Sequence, residues 1–363
     1  MYHVEQFSMQ PVTLKLKHPF KTAHSTTFER PLTLIKLEVF DEKTHQVASG
    51  FGEVQSFADF SYAPENQQMS RTVIETMILP YLKSYSFNSA PDFASYLQQL
   101  TPFASFAKAG IEMAVWDAVG KLTNQSLAQM IGGSMTKVPV GIAFGLDVSA
   151  SDIRSAISEG YQRIKLKIQA DNLHIEQLTR LLEQFPQQHF SLDANSSFRP
   201  NNVELLKQLP DNVLFIEQPF VATDFVDHAH FQLQTKQLLS LDESINNIND
   251  IRTLVALKAA RAVTIKQGKI GGISAAIAAI ELAQISGIRP WIGGMLSSNL
   301  GRGVDLALAS LEGIAFAGDI ADSQHYFQTD ITEEALAVHK GFMDVPQRPG
   351  IGLTVNDMFS TFL

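Results

Sequence analysis

The run Arg163-Ile164-Lys165-Leu166-Lys167-Ile168 decides how the chain is read, because it is β-rich, alternately apolar and carries two lysines two residues apart. Side chains alternate across a strand, so Lys165 and Lys167 project from one face. If that face looks into a closed barrel, two ammonium groups crowd one small volume. Each disfavours the other's charged form, and one becomes a base near neutral pH. The spacing alone proves little. Thr13-Leu14-Lys15-Leu16-Lys17 repeats it and reads as the wetted face of an edge strand, where charged side chains belong. What separates the two is the company each pair keeps.

Outward from Lys165, one texture recurs: a short apolar run, then a helical pattern. Strands are predicted at 138–144, 163–168, 189–192, 213–216, 238–241, 262–265, 288–292 and 313–317, and helices at 151–159, 174–184, 248–259 and 273–286. Eight strands alternating with helices predict a parallel β/α barrel. Four consecutive runs end in an ionisable residue before a turn: Leu192-Asp193-Ala194-Asn195, Ile216-Glu217-Gln218-Pro219, Leu241-Asp242-Glu243-Ser244 and Ile265-Lys266-Gln267-Gly268. From Lys167 onward each such residue follows the last by 24 to 26 positions, the length of one strand–helix unit. Five strands therefore deliver Lys, Asp, Glu, Asp and Lys to the C-terminal rim, where barrels carry their active sites. Three carboxylates converging there repel one another unless a cation is supplied. An all-oxygen set suits Mg²⁺, or Mn²⁺, better than zinc. A metal held by Asp193, Glu217 and Asp242 can absorb the second negative charge of a carboxylate substrate as its α-carbon is deprotonated. Lys167 and Lys266 flank that substrate as base and acid or electrostatic partner, with Lys165 lowering the pKa of Lys167.

The bulk numbers agree with a compact enzyme. The 363 residues are 45% hydrophobic and 18% charged, with a formal net charge of −9 and no cysteine. Disulfides, thiolate metal sites and thiol nucleophiles are excluded, and the absence of a basic block argues against nucleic acid or an anionic membrane as partner. The start lacks a signal-peptide pattern and the apolar run 273–285 is too short to span a bilayer, so a cytoplasmic protein, expected as a homo-oligomer, is the simplest reading. Residues 1–133 read as an α+β capping domain with strands at 12–17, 32–40 and from 50, and helices at 106–122 and 127–131. Residues 134–321 read as the barrel, and 322–363 as a tail returning to the cap. Two aromatic-rich loops, 18–27 and 56–64, either cover a substrate or pack a domain interface through Phe20, Phe57, Phe60 and Tyr62. His228 and His230 sit two apart on a predicted helix, share no face, and read as surface histidines.

Lys-x-Lys, Asp-Ala-Asn, Glu-Gln-Pro, Asp-Glu-Ser and the sixth-strand lysine together resemble the enolase superfamily in its muconate-lactonizing-enzyme subgroup. The likeness runs through Ala114-Val115-Trp116-Asp117-Ala118 to Trp291-Ile292-Gly293-Gly294-Met295. Within the subgroup the chain is most similar to o-succinylbenzoate synthases and N-succinylamino acid racemases. The resemblance implies a modified TIM barrel behind a capping domain and a lyase, a Mg²⁺-dependent dehydratase of menaquinone biosynthesis. Its substrate would be the carboxylate 2-succinyl-6-hydroxy-2,4-cyclohexadiene-1-carboxylate, with Lys167 as base and Lys266 as electrostatic clamp. In the racemase alternative the two lysines exchange roles, and a dipeptide epimerase or a non-catalytic paralogue ranks third. Substrate contacts are expected from Gly293, Gly294, Met295, Ser297, Asn195, Phe20 and Tyr62. Three positions depart from the pattern: Ser297 stands where Glu is usual, Lys269 where racemases carry Arg, and Ala143 where they carry Ser.

Overall fold

Strands β1 (Tyr2–Lys21), β2 (Thr26–Asp41) and β3 (Gln46–Val54) are consecutive antiparallel neighbours, and the short β4 (Ser86–Phe87) joins the far side of β1 in a sheet ordered β3-β2-β1-β4. The computed structural model describes residues 1–21, 26–172 and 174–360, with the backbone alone for 18–21, 26 and 172. The alternation in β1 sorts its faces: Val12, Leu14 and Leu16 are buried, while Lys15 and Lys17 are exposed. Pairing with β4 reaches only Tyr2 and His3; near Lys15 and Lys17 the strand is not the open edge expected, because the segment at Phe327 bridges to Leu16, although both lysine side chains are exposed. Lys17 Nζ donates to Gln324 O at 2.6 Å.

The buried face of this sheet rests on the helix Ser105–Thr123, whose residues 106–120 are buried throughout. A helix apolar all round has to be enclosed, and here the sheet and the barrel enclose it. Its first turn is held by Glu65, whose carboxylate accepts from Phe106 N and Ala107 N at 2.9 Å, a favourable place for negative charge. At its other end Asn124 turns the chain in the left-handed region, φ 53°. Contact with β3 is made backbone to backbone. A Cβ on Gly52 would stand 2.1 Å from Gly110 O, and one on Gly50 1.9 Å from Ala114 O.

After β5 (Lys137–Pro139) come seven parallel strands, consecutive in the sheet: β6 (Gly141–Phe144), β7 (Arg163–Lys167), β8 (His189–Asp193), β9 (Val213–Glu217), β10 (Leu238–Leu241), β11 (Ala262–Ile265) and β12 (Arg289–Ile292). Strands covered on both faces read as continuous apolar runs, which is why the sequence located all seven. Helices at Ala150–Ser158, Ile175–Glu183, Phe225–Gln234, Ile248–Leu257 and Ile273–Ile285 cover the outside. Capping boxes, such as Asn247 with Asp250, fix several starts.

The eighth predicted strand, 313–317, is not a strand. The segment 315–319 nevertheless closes the ring: Ala315 N donates to Pro290 O and Asp319 N to Ile292 O on β12, while Gly141 N of β6 donates to Gly318 O. Two of its carbonyls are taken by arginine side chains, Ala317 O by Arg163 Nε at 2.9 Å and Asp319 O by Arg302 Nη1 at 3.2 Å, so no regular ladder forms. Beyond it, β13 (Phe342–Asp344) pairs with β5, Gln328 N donates to Lys15 O, and Ile351 N donates to Asp117 on the buried helix. Among the described residues no helix is long and apolar enough to cross a membrane. His228 is the opposite of what its spacing suggested. It is fully buried, its Nε2 accepts from Phe220 N at 3.3 Å, and only His230 is exposed.

The glycine contact makes a stability prediction. Gly52→Ala forces the helix off β3 and should cost about 1–3 kcal/mol in urea unfolding. An unchanged midpoint would show that the sheet and helix give way freely.

Candidate active site

In the parallel register Lys167 lies beside Asp193 and Asp193 beside Glu217, so three neighbouring strands present ionisable ends in a row. Asp242 and Lys266 follow β10 and β11 directly. A cavity of about 360 Å³ opens over them, within the ~300–1,000 Å³ usual for small-molecule sites. Lys165, Lys167, Asp193, Asp242 and Lys266 line it, with Ala143, Asn195, Gly294, Met295, Asp319 and Tyr326 around the rim and Phe57, Tyr62 and Glu29 from the cap. Glu217 lies beneath this floor, fully buried.

Ion pairs knit the floor. Lys165 Nζ is 3.2 Å from Asp193 Oδ2, 2.9 Å from Glu217 Oε2 and 2.6 Å from Asp319 Oδ2. Burial disfavours its charge, but the three carboxylates outweigh that and hold its pKa well above a free lysine's, Asp193 and Asp319 before Glu217. Burial pushes the Glu217 carboxyl up to about 8 although Lys165 pulls it down. Lys167 Nζ donates to Asn195 Oδ1 at 2.5 Å and stands 3.3 Å from Asp193 Oδ2. Lys266 Nζ donates to Asp242 Oδ2 at 2.7 Å and to the Tyr62 hydroxyl at 2.9 Å, and that hydroxyl in turn donates to Asp242 Oδ1 at 3.2 Å. Lys269 binds Asp242 from behind, through its carbonyl and at 3.4 Å through Oδ1.

The turns that aim these groups are strained: Asn195, Ser196 and Gln218 have φ of 39°, 63° and 42°, values that side-chain-bearing residues adopt at a cost of ~1–3 kcal/mol. Gln218 offsets part of this by accepting from Asp242 N and Ser244 N and donating to Ser244 Oγ, which ties the β9 turn to the β10 turn. Asn195 bridges Lys167 and Glu243 Oε1, the latter at 3.1 Å.

Do these groups suit a divalent cation? Asp193, Glu217 and Asp242 are an all-oxygen set, each at most 4% exposed. Beside them Glu243 Oε2 is buried without a hydrogen-bond partner among the described residues, and burial raises the Glu243 carboxyl's pKa. Such a set has unmet demand for positive charge and fits a hard, oxygen-ligated cation. Among the described residues no three Asp, Glu or His side chains are grouped so as to hold a metal ion; Lys165 lies against Asp193 and Glu217, while Lys266 and Lys269 hold Asp242.

The expected contacts divide. Asn195, Tyr62, Gly294 and Met295 line the cavity. Gly293 backs Lys266: a Cβ there would meet Lys266 Cε at 3.0 Å and Thr264 Cγ2 at 2.3 Å. Ser297 is fully buried, does not line the cavity, and its hydroxyl has no partner among the described residues. Phe60 is 61% exposed and does not line the cavity, whereas Phe57 packs edge-on against Tyr62. The Phe20 side chain lies outside the described residues.

Sequence reasoning missed Asp319, Arg163, Gln218 and, at the seam between cap and barrel that it had weighed for the aromatic loops, Arg30 and Glu53. Arg163, two residues before Lys165, had the signal of a shared strand face. At the seam, fully buried Arg30 donates to Leu296 O at 2.7 Å, Ser56 O at 2.8 Å and Gln55 O, and lies 4.1 Å over the Phe57 ring. Next to it Glu53 accepts from Ser298 Oγ and from Gln55 Nε2. Burial pushes the Glu53 carboxyl from 4.5 up to about 7. A carboxyl raised on folding contributes stability that is full below the unfolded pKa and lost as pH rises through the folded one. Between pH 5 and pH 8 this group should therefore cost about 2–3 kcal/mol, and Glu53→Gln should remove that loss. Urea melts at both pH values check it, and an unchanged pH slope in the variant would refute the assignment.

Comparison with known proteins agrees over the full length. The family model described as "Mandelate racemase / muconate lactonizing enzyme, N-terminal domain" matches residues 5–132, and "Enolase C-terminal domain-like" matches residues 149–359. An o-succinylbenzoate synthase of Bacillus subtilis is 34% identical over 360 residues, covering 98% of this chain and 95% of that one. An N-succinylamino acid racemase of Thermus thermophilus is 32% identical over 357 residues, covering 96% and 94%. The crystal structure of an enolase-superfamily member from Listeria innocua superposes with a TM-score of 0.92 at 31% identity, covering 98% and 95%.

Proposed function

Since the chain belongs to the mandelate racemase / muconate lactonizing enzyme family of enolase-like proteins, we propose that it is a Mg²⁺-dependent o-succinylbenzoate synthase. It would dehydrate 2-succinyl-6-hydroxy-2,4-cyclohexadiene-1-carboxylate, with residues 134–321 as the catalytic barrel and 1–133 and 322–363 as its cap. The observation that carries the reading is that Lys167 and Lys266, at the ends of strands four places apart in the sheet, face one cavity lined by Asp193 and Asp242, with Glu217 buried beneath it.

Held by those three carboxylates, Mg²⁺ or Mn²⁺ would supply positive charge to a substrate carboxylate that gains a second negative charge. Lys167, oriented by Asn195, takes the α-proton on Nζ. The same nitrogen gives that proton to the departing hydroxide, so one water leaves and the ring becomes aromatic. Lys266, held by Asp242 and Tyr62, faces the substrate as a fixed positive charge. Lys165 adds a second cation to the same wall of the cavity, paired with Asp193, Glu217 and Asp319. Phe57 and Tyr62 from the cap exclude water above the ring.

The racemase reading is favoured by the same pair of lysines and by the relatives that bear that name. There the α-carbon is deprotonated by one lysine and reprotonated by the other.

The deciding experiment assays dehydration and N-succinylamino acid racemisation side by side. Lys167→Ala should lower dehydration by about 10²–10⁴-fold; full dehydration activity in that variant overturns the base assignment. Metal removal with a chelator should abolish solvent deuterium exchange at the α-carbon, and Mg²⁺ should restore it. Exchange that survives chelation overturns the metal's role.

A further inference from the structure

Asp319 enters the site from the segment that closes the ring, and no step above uses it. Its carboxylate is shared: Oδ1 accepts from Arg163 Nη2 at 2.5 Å and Oδ2 lies 2.6 Å from Lys165 Nζ. Its backbone is fixed on both sides, the N–H donating to β12 at 3.1 Å and the carbonyl accepting from Arg302 at 3.2 Å. A carboxylate anchored this way cannot follow a moving lysine, so the lysine stays with it. The same ammonium also lies 3.2 Å from Asp193 Oδ2 and 2.9 Å from Glu217 Oε2, against oxygens that a divalent cation needs. Like charges that close repel strongly in a dry site. Lys165 therefore needs a partner outside the ligand set.

We propose that Asp319 holds Lys165 clear of the divalent cation. It is a positioning residue: the Lys165 ammonium rests on it when Asp193 and Glu217 turn to the metal. Without it the ammonium falls back on those two carboxylates and competes with the cation for them. The inference rests on the metal reading above, and it explains why a further carboxylate faces the cavity beside three that suffice as ligands.

The test is a binding cycle on the full chain, with free Mn²⁺ followed by electron paramagnetic resonance and folding checked by circular dichroism. Asp319→Asn should weaken Mn²⁺ binding about tenfold or more, the usual effect of losing a group that supports metal ligands. Lys165→Met should bind Mn²⁺ more tightly than the natural chain. In the Lys165→Met background, Asp319→Asn should cost less than about twofold, because there is no ammonium left to hold. Equal losses in both backgrounds make Asp319 a distant charge or a fold support and overturn the proposal, as does a Lys165→Met variant that binds no tighter. Should Asp319→Asn not fold, Asp319→Glu replaces it in the same cycle. That variant keeps the charge and displaces it by one methylene, and again a loss confined to the natural background is required. A natural chain that binds no Mn²⁺, or binds it undiminished after Asp193→Ala, overturns the metal reading together with the proposal. Binding through Asp193 with no coupling between 165 and 319 overturns the proposal alone.

Discussion

Charges of both signs are buried side by side at the mouth of this barrel, and the arrangement of the site follows from the need to neutralise each one locally. An unpaired ion in an apolar interior costs several kcal/mol or more, so each ammonium of the floor meets a carboxylate within 3.4 Å or less. The stripe Arg163, Lys165, Lys167 on one face of β7 could not be buried alone. Asp193, Glu217 and Asp319 make it tolerable. Such pairs contribute little net stability, and their value lies in placing strong electrostatic groups where water cannot screen them.

The same constraint shapes the seam between cap and barrel. Arg30 uses its guanidinium to collect carbonyls from both sides, Gln55 and Ser56 from the cap loop and Leu296 from the loop after β12. The loop carrying Phe57 and Tyr62 is thereby fixed to the barrel on which it closes. Tyr62 then reaches both Lys266 and Asp242, so the cap takes part in the polar network and does not merely shade it.

Much of this was legible in the chain because the barrel repeats itself. Covered parallel strands must be apolar along their length, and each unit returns after about 25 residues, so seven strands and five of the rim residues stood out by spacing alone. The eighth segment defeated that logic for a physical reason: it is held by a few separate backbone bonds and by arginine side chains rather than by a regular ladder, and no periodicity encodes such bonds. Ser297 and Gly293 were placed at the substrate by motif, yet one is buried behind the wall and the other makes room for the stem of Lys266. His228 misled because two-residue spacing says nothing about depth. Tyr62 lies in an irregular loop, where the sequence shows that aromatics are present but not whether they face the site or the seam.

Ring closure by Arg163 has a kinetic side. Its bonds to Ala317 and Asp319 join residues 154 and 156 positions apart, and contacts so distant along the chain are costly to close and late to form. During synthesis, the lysine stripe of β7 is complete some 150 residues before its last counter-ion exists. Asp193 and Glu217 can meet the lysines earlier, but Arg163 waits for Asp319 until the eighth unit arrives. Completion of this charge set and closure of the ring are then a single event.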